Sequence, residues 1–329
     1  MANIKDVARH ANVSVTTVSH VINKTRFVSA DLEQRVWEAV RVTNYQPNAL
    51  ARSLRIKQTR TIGMVIPDNA NPFFAEVAHQ IEDQSFDLGY NVILCNTEGS
   101  LKKEQSYVNV LLEKQVDGVV LVATSYKSEH LRQIVGGGLP VVVVDRELED
   151  LHCDVVIADN LSVGQRATRY LLEIGHQVIA CITGPSDITP SSERVRGYHQ
   201  ALEAAGLQYQ AELLEPGNFQ ADGGYSAMRK LLAKNPRPTG VFACNDIMAI
   251  GALRAIGEAG LKVPQDIAIV GVDNIPLAEY TTPPLTTVAL PYKEMGRLAT
   301  ELLISRINGD KSTPQRHVLG TKLVVRASS

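Results

Sequence analysis

Acidic, basic and amide side chains recur in this chain at or shortly after the ends of short apolar segments. A carboxylate accepts hydrogen bonds and a guanidinium or amide donates them, so together they can satisfy the hydroxyl groups of a polyol. Neighbouring phenyl rings supply an apolar surface for the face of a sugar ring. The candidate ligand-binding residues are Asn71, Phe73, Phe74, Asp145, Arg146, Arg194, Asn245 and Asp273.

The sequence offers binding groups but no catalytic set. An enzyme acting on a sugar requires a general acid or base beside the bound ring, and no acidic pair in the chain stands next to a candidate nucleophile. The histidines and the four cysteines (Cys95, Cys153, Cys181 and Cys244) show no metal-ligand spacing. We therefore expect a protein that is not an enzyme and that uses no metal ion or cofactor.

The elements that must position these residues are strands and helices that alternate from Thr61 onward. Continuous Val/Ile runs between amphipathic segments are typical of parallel sheets covered by helices on both faces, which predicts an α/β fold. The predicted strands are 62–66, 91–96, 118–122, 141–144, 155–157, 178–183, 240–243, 267–272 and 286–289, and the predicted helices are 74–89, 103–114, 162–175, 193–205, 222–233 and 246–259.

So many strands exceed one doubly wound unit, and we expect two lobes with a break near Asp159 and Asn160. Ligands of open parallel sheets bind at the carboxyl ends of the strands. The candidate ligand-binding residues should therefore meet in a cleft between the lobes.

The first 23 residues have the spacing of a helix-turn-helix. A small core is predicted from Ile4, Val7, Ala8, Val13, Val18 and Val21. Asn12 stands at the turn, where a left-handed backbone is needed, and Ser14 can cap the second helix. A third helix is predicted over residues 28–45, with Ser29 as its cap.

The second helix of such a motif presents side chains to base edges in the major groove of DNA. Val15, Thr16 and His20 are predicted to point outward from it. The full set of candidate DNA-binding residues in this region is Ser14, Val15, Thr16, Thr17, His20 and Asn23.

Residues 48–56 are good helix formers, but a helix of this length is marginal alone in water. We expect it to order only when something packs against it, which makes this segment a candidate switch.

Length and charge agree with separate domains. A chain of 329 residues is too long for one compact core. Residues 1–60 carry a net charge of +6 and the remainder −8, which suits a protein that touches phosphate only near its N-terminus. Scattered cysteines, the lack of a signal peptide and the lack of a long apolar run predict a cytoplasmic protein without a membrane partner. A transport protein that binds sugar would need the signal peptide and no helix-turn-helix.

Motifs along the whole chain resemble the lactose/galactose repressor family. They are IKDVA at residues 4–8, VSHVIN at 18–23, ALARSL at 49–54, DG at 117–118, GH at 175–176, ITGP at 182–185, ND at 245–246, GVD at 271–273 and PLTT at 284–287. The resemblance implies a homodimeric transcription repressor with two helix-turn-helix heads on a near-palindromic operator. It also implies a hinge helix in the minor groove and a periplasmic-binding-protein-like core that senses a small molecule.

In the hinge, the resemblance implies an apolar wedge at Leu54, which would unstack a base step. The implied hinge contacts to DNA are Ala51, Arg52, Leu54, Arg55 and Lys57. We set the domains at 1–46 for the DNA-binding head, 47–60 for the hinge and linker, and 61–329 for the core. Within the core, lobe 1 is expected to comprise 61–160 and 291–322, and lobe 2 to comprise 161–290 and 323–329.

Within the family the resemblance is closest to the ribose repressors and next to the purine repressors. The candidate ligand-binding residues resemble the sugar site of ribose-binding proteins, which implies release from DNA by ribose or a related monosaccharide. Leu290 stands where ribose binders carry an amide, and Ile188 stands where purine repressors carry a base-contacting arginine. The alternatives left open are a corepressor that tightens DNA binding, a different sugar, or a nucleoside-type ligand.

Overall fold

The structure is a computed structural model that describes residues 2–45, 58–124, 129–148 and 151–329. Contacts between Cα atoms divide the chain into two compact units, Met1–Thr59 and Arg60–Ser329. The hinge helix predicted at 48–56 lies outside the described residues, and so do its candidate DNA contacts Ala51, Arg52, Leu54, Arg55 and Lys57. The finer domain bounds given above stay predictions.

Residues 2–45, described in the N-terminal unit, form three helices: α1 (Ile4–Ala11), α2 (Val15–Asn23) and α3 (Ala30–Thr43). Asn12, between α1 and α2, takes the left-handed conformation with φ 51°. The Ser14 hydroxyl accepts a hydrogen bond from the backbone N–H of Thr17 at 3.0 Å. The predicted helix-turn-helix is confirmed, together with its left-handed turn and its cap.

The third helix is shorter at both ends than the predicted 28–45. Ser29 stands at its N-cap, but the Ser29 side chain makes no capping hydrogen bond. The predicted cap is therefore wrong in its chemistry and right only in its position. Helices α1, α2 and α3 enclose a small core of Val7, Ala8, Ala11, Val18, Val21, Val36 and Ala39.

The first lobe of the second unit is built on a six-stranded sheet in which every pairing is parallel. Its strands are β1 (Thr61–Ile66), β2 (Asn91–Asn96), β3 (Gly118–Leu121), β4 (Val141–Val144), β5 (Asp154–Ala158) and β11 (Arg316–Leu319). The strand order is β11-β5-β4-β3-β1-β2, so that β2 forms one edge.

The second lobe is built on another six-stranded sheet. Its strands are β6 (Ile179–Thr183), β7 (Leu214–Pro216), β8 (Gly240–Ala243), β9 (Ala268–Asp273), β10 (Thr286–Ala289) and β12 (Lys322–Val324). The order is β12-β10-β9-β8-β6-β7, and β12 runs antiparallel to β10. The prediction of purely parallel sheets is therefore wrong at this edge strand.

The central strands of both sheets are buried, and eight helices pack around the sheets within the described residues. They are α4 (Pro72–Asp87), α5 (Leu101–Glu113), α6 (Glu129–Gly136), α7 (Asn160–Glu173), α8 (Thr189–Ala204), α9 (Ala221–Leu232), α10 (Asp246–Glu258) and α11 (Tyr292–Ile307). The chain passes between the lobes after β5, after β10 and after β11. These crossings bring the carboxyl ends of strands from both sheets to one cleft.

The sequence analysis missed the strands β7, β11 and β12 and the helices α6 and α11. The three strands have only three or four residues, and their side chains are largely exposed or half-buried, so they carry no continuous apolar run. The predicted helix starts at 74, 103 and 162 are each two residues late. Asn71, Ser100 and Asp159 cap these helices and admit two more residues at the start.

No helix within the described residues combines the length and the apolar character that crossing a membrane requires.

Helices α7 and α8 cross at very short distance. A Cβ atom added to Gly164 would lie 2.0 Å from the backbone oxygen of Arg194, and one added to Gly197 would lie 2.2 Å from the backbone oxygen of Leu161. Only glycine permits this approach. The crossing fixes the part of α8 that carries Arg194, one of the candidate ligand-binding residues.

Replacing Gly164 by alanine should force α7 and α8 apart. We expect Gly164→Ala to lower the free energy of unfolding by roughly 1–3 kcal/mol, the usual cost of overpacking. Gly257→Ala is the matched control, because a Cβ at Gly257 on α10 meets nothing within 4 Å. Thermal unfolding should show a lower Tm for the first variant only, and equal Tm values would contradict the close-crossing argument.

Candidate functional site

One cavity between the two lobes is lined by all eight candidate ligand-binding residues. It contains about 330 Å³ of empty space, including its opening to solvent. Lobe 1 contributes Asn71, Phe73, Phe74, Asp145 and Arg146. Lobe 2 contributes Arg194, Asn245 and Asp273, and the lining is completed by Ile188, Pro190 and Phe219.

Strand ends place the two acidic residues of this cavity. Asp145 directly follows β4, and Asp273 is the last residue of β9. Both have positive φ, 68° for Asp145 and 110° for Asp273. Such a backbone is strained in a non-glycine residue and persists only where the surroundings hold it, which happens most often at functional sites.

Two hydrogen bonds to the backbone hold the Arg146 side chain in place. Its Nη1 donates hydrogen bonds to the backbone oxygens of Ala123 at 2.6 Å and Thr124 at 3.2 Å. Its buried Nε has no hydrogen-bond partner among the described residues and lies 3.9 Å from Asp145 Oδ2. A buried donor without a partner is costly, so a ligand that accepts from Nε would be favoured.

Arg194 reaches the cavity from α8, and other parts of lobe 2 hold it in place. Its Nε donates to Asn160 Oδ1 at 2.9 Å, and its Nη1 donates to the backbone oxygen of Cys244 at 2.6 Å. The side chain is 3% exposed. A buried guanidinium so fixed presents its remaining N–H groups in one direction.

The two asparagines at the cavity also serve as helix caps. Asn71 Oδ1 accepts a hydrogen bond from the backbone N–H of Phe73 at 3.0 Å. Asn245 Oδ1 accepts from the backbone N–H of Met248 at 2.9 Å, and its Nδ2 donates to the backbone oxygen of Phe219 at 3.0 Å. Asn245 therefore positions Phe219 as well as lining the cavity.

The carboxylates of Asp145 and Asp273 are only 6% and 4% exposed. Across the described residues, neither carboxylate accepts a hydrogen bond from a side chain or from the backbone. Burial raises the pKa of both, which Arg194 opposes at each site. Both residues line the cavity, so a ligand bound there can supply the donors that the described residues do not.

Behind Asp273 lies a fully buried carboxylate that the sequence analysis did not single out. Asp246 Oδ1 accepts a hydrogen bond from the Thr287 hydroxyl at 2.6 Å, and its Oδ2 accepts from the backbone N–H of Ile275 at 3.0 Å. Asp246 thereby connects the turn that follows Asp273 to the neighbouring strand β10. A Cβ on Gly271 would lie 2.2 Å from Asp246 Oδ1, so glycine makes room for this carboxylate.

Phe219 and Ile188 also belong to the cavity lining, and Leu290 lies next to Asp273. Phe219 follows β7, and a strand that short gave no signal from which its position could be predicted. Ile188, noted in the sequence for its departure from the purine-repressor pattern, does line the cavity. Leu290 is buried, and its backbone N–H donates to the backbone oxygen of Asp273 at 3.4 Å.

Three exposed side chains on α4 also come together, although the sequence analysis found no metal-ligand spacing. The possible ligand atoms of His79, Glu82 and Asp83 lie within 4.8 Å of one another. His79 Nε2 is 3.4 Å from Asp83 Oδ2, an ion pair between successive helical turns when the histidine is protonated. We assign no metal site to this group.

On the N-terminal unit, the six candidate DNA-binding side chains of 14–23 differ in freedom. Val15 and Thr16 are exposed, and His20 is half-buried with its Nδ1 2.7 Å from the Thr25 hydroxyl. Ser14 and Thr17 are paired to each other, with their hydroxyl oxygens 2.9 Å apart.

Asn23 Nδ2 donates to the backbone oxygen of Ser19 at 2.7 Å. The capping role of Ser14 was predicted from the sequence, whereas the contact between the Ser14 and Thr17 hydroxyls and the hydrogen bond of Asn23 to Ser19 were not.

Two family models match parts of this chain. Residues 3–48 match the family model of bacterial regulatory proteins, lacI family, and residues 168–329 match that of the periplasmic binding protein-like domain. The chain is 44% identical over 331 residues to the ribose operon repressor of Escherichia coli (strain K12), with 100% of both proteins covered. It is 43% identical over 331 residues to the HTH-type transcriptional repressor PurR of Aliivibrio fischeri (strain ATCC 700601 / ES114), covering 100% of this chain and 98% of that protein.

The chain belongs to the LacI family of bacterial regulatory proteins. The structure of the lac repressor dimer bound to operator and the anti-inducer ONPF is similar along nearly the whole chain. The TM-score is 0.89 at 27% identity, covering 99% of this chain and 98% of that one.

This LacI-family protein is a DNA-binding transcriptional repressor, and its relatives are repressors rather than enzymes. The family, the similarity to ribose and purine repressors, the fold class and the non-enzymatic nature were predicted from the sequence, and all are confirmed.

Asp246 should make the stability of this LacI-family repressor depend on pH. Burial raises its pKa from 3.8 to about 7, against the opposing hydrogen bonds from Thr287 and Ile275. The folded state then binds a proton that the unfolded state releases, so this contribution to stability is present below pH 4 and is lost as pH rises through about 7.

Asp246→Asn, which cannot ionise, should remove this dependence. Relative to the wild type, its Tm should rise between pH 4 and pH 7, by the equivalent of a few kcal/mol at about 1.4 kcal/mol per pKa unit. Differential scanning calorimetry across that range measures the difference. Parallel curves for the two proteins would show that Asp246 is ionised throughout.

Proposed function

We propose that this repressor binds a near-palindromic operator as a homodimer in the cytoplasm. We further propose that D-ribose or a related monosaccharide, held in the cleft between the lobes, releases it. The observation that carries the sugar assignment is the pair of buried carboxylates, Asp145 and Asp273, that accept no hydrogen bond from the described residues.

A monosaccharide offers hydrogen-bond donors, acceptors and an apolar ring face that match the side chains of the cavity. Its hydroxyls donate to the two carboxylates, and their oxygens accept from Arg194 and from the unpaired Nε of Arg146. Phe73 and Phe74, with ring centroids 5.2 Å apart, offer a hydrophobic wall to the C–H face of the ring. The ribose operon repressor, 44% identical to this chain, supports the same ligand class.

A purine nucleobase alone is the second candidate, because PurR is 43% identical to this chain and a base can donate N–H groups to a carboxylate. The apolar side chain of Ile188 in the lining argues against it, since it offers a base neither a donor nor an acceptor. The number of carboxylate and guanidinium groups also exceeds what a base can engage.

Sugar binding can change the affinity for operator DNA by changing the arrangement of the two lobes. Two hydrogen bonds already cross the cleft: Gln220 Nε2 donates to Asp68 Oδ2 at 2.8 Å, and the backbone N–H of Glu147 donates to the Thr189 hydroxyl at 3.2 Å. A ligand that contacts both lobes favours the arrangement that fits it best. A coupling of roughly 1–3 kcal/mol gives a 5–150-fold change in operator affinity.

The proposed dimer is supported by an apolar edge on lobe 1. Phe86, Leu88, Ile93 and Leu94 are exposed at the end of α4 and on the edge strand β2. Exposed apolar groups on an unpaired strand edge are typical of an interface, and a second copy of this chain is the partner that we propose for this edge.

On the DNA-binding unit, we propose that Val15, Thr16 and His20 read base edges. With His20 Nδ1 beside Thr25, the ring nitrogen left for a base is Nε2. We assign capping to Ser14 and Thr17, which satisfy each other and the start of α2, and an anchoring role to Asn23 at its end. For the hinge residues Ala51, Arg52, Leu54, Arg55 and Lys57, the proposed minor-groove contacts rest on the family resemblance alone.

Removing one cavity carboxylate should abolish the sugar response without affecting operator binding. We expect D-ribose to weaken operator binding by the wild type in mobility-shift assays, and Asp273→Asn to lose ribose affinity by roughly 10–100-fold, the worth of a charged hydrogen bond. Glu203→Gln, on the exposed face of α8, is the matched control. Tighter operator binding with ribose would instead identify a corepressor, and no response from the wild type would contradict the sugar assignment.

Removing one proposed base-reading side chain should weaken operator binding and leave ribose binding unchanged. We expect His20→Ala to reduce affinity for an operator selected from random DNA by about 1–3 kcal/mol, the worth of one good base contact. Affinity for non-specific DNA and for ribose should be unchanged. Gln34→Ala, on the exposed face of α3, is the control, and a large loss of ribose affinity in His20→Ala would contradict the separation of roles.

A further inference from the structure

Two side chains from different lobes meet across the cleft, outside the cavity lined by the candidate ligand-binding residues. Gln220 Nε2 donates to Asp68 Oδ2 at 2.8 Å. Asp68 follows β1 of lobe 1, and Gln220 directly precedes α9 of lobe 2. Gln220 is exposed and Asp68 is half-buried, so this Asp68–Gln220 pair lies toward the solvent side of the cleft. Both partners belong to the protein, so the contact needs no ligand to form.

The loop after β1 fixes the position of Asp68. Oδ1 of the same carboxylate accepts a hydrogen bond from the backbone N–H of Ala70 at 2.9 Å. The next residue, Asn69, donates its backbone N–H to Asn96 Oδ1, at the end of β2, at 3.1 Å. One carboxylate oxygen is therefore held by its own loop, and the other accepts from lobe 2.

The turn before α9 fixes the position of Gln220. Asn218 Oδ1 accepts from the backbone N–H of Gln220 at 2.9 Å, and Asn218 Nδ2 donates to Asp222 at 3.2 Å. A Cβ atom on Gly223 would lie 1.9 Å from Asn218 Oδ1, so glycine leaves room for this asparagine. With both backbones held, only side-chain rotamers must be ordered when the pair forms, which keeps its entropic cost low.

The Asp68–Gln220 pair is separate from the groups that are proposed to bind sugar. Neither Asp68 nor Gln220 lines the cavity of the candidate ligand-binding residues. The hydrogen bond from the backbone N–H of Glu147 to the Thr189 hydroxyl, which also crosses the cleft, is longer at 3.2 Å and joins two uncharged groups. A hydrogen bond to a carboxylate is the stronger kind, so of these two contacts the Asp68–Gln220 pair does more to join the lobes.

The pair and a bound sugar favour the same arrangement of the lobes. Under the proposed function, a sugar that contacts both lobes stabilises the closed arrangement, in which they are joined across the cleft, and releases the repressor from DNA. Opening the cleft would separate Asp68 from Gln220, so their hydrogen bond also stabilises the closed arrangement alone. An interaction made in only one of two arrangements shifts the equilibrium toward it. The pair therefore acts before any sugar binds.

We propose that the Asp68–Gln220 pair sets the sugar threshold of this repressor. The pair weakens operator binding in the absence of sugar, and it lowers the sugar concentration that releases the protein. This inference rests on the proposed function and adds a regulatory contact to it. The net worth of one hydrogen bond corresponds to roughly a 2–10-fold change in the equilibrium between the closed and open arrangements.

Mobility-shift assays of the full-length protein test this with Gln220→Ala. Without sugar, the variant should bind operator more tightly than the wild type. At an operator concentration well above its Kd, the D-ribose concentration for half-release should rise roughly 2–10-fold. Gln200→Ala is the matched control, because it removes a glutamine hydrogen bond of 2.7 Å, to Gln165, that lies within lobe 2. Both values should stay at those of the wild type in this control.

Variants of the partner residue test whether the two side chains act together. Asp68→Ala should reproduce the effect of Gln220→Ala, and the double variant should show no more than either single variant. Gln220→Glu places a second carboxylate opposite Asp68, so its effect relative to the wild type should be larger and should shrink as salt is added. Additive effects of the two alanine variants would show that the side chains act separately and would contradict the proposal.

Tighter operator binding and a higher ribose threshold must occur together in Gln220→Ala. A higher threshold alone would overturn the proposal, because a side chain that merely touches the sugar gives that result. Weaker operator binding would overturn it as well. Unchanged values, with a wild type that ribose releases, would overturn the role of the pair and leave the proposed function standing. A wild type that ribose does not release would overturn both.

Discussion

The cleft is organised around two carboxylates, those of Asp145 and Asp273, that accept no hydrogen bond from the described residues. Asp145 and Asp273 come from different lobes and sit at strand ends with positive φ. Burying an ionised carboxylate without hydrogen-bond donors is expensive, and the nearby Arg146 and Arg194 offset only part of that cost. Without a ligand, the carboxylates of Asp145 and Asp273 therefore lack hydrogen-bond donors from the described residues at the place where the two lobes meet.

Several neighbouring residues hold the turn that follows Asp273 in place. Asp246, Thr287 and the backbone of Ile275 hold the turn after β9. Arg326 Nη2 donates to Asn274 Oδ1 at 2.8 Å, which ties the C-terminal segment to the same turn. A site built on such supports is preorganised, so that a ligand spends little of its binding free energy on ordering the protein.

Sequence reasoning found the parts of this site that follow strong local patterns. Asp145 and Asn245 could be placed because they end continuous Val/Ile or apolar runs, and Asn12 and Ser14 because turn and cap chemistry is local. Phe219 could not be placed, because the strand before it has only three residues. Asp246 was missed because its partner Thr287 is 41 residues away along the chain.

The same distinction applies to the DNA-binding unit. Its core and turn were predictable from spacing. The pairing of His20 with Thr25, and of Asn23 with Ser19, depends on rotamers that no periodic pattern specifies. Among the six candidate DNA-binding residues of 14–23, these contacts are the reason that we propose base reading for Val15, Thr16 and one nitrogen of His20.

A crystal structure of the full-length repressor grown with D-ribose tests the central claim most directly. The account predicts ribose hydroxyl oxygens within hydrogen-bond distance of the carboxylates of both Asp145 and Asp273, so that one sugar joins the two lobes. A ribose bound elsewhere, or one that leaves either carboxylate without a donor, would contradict it.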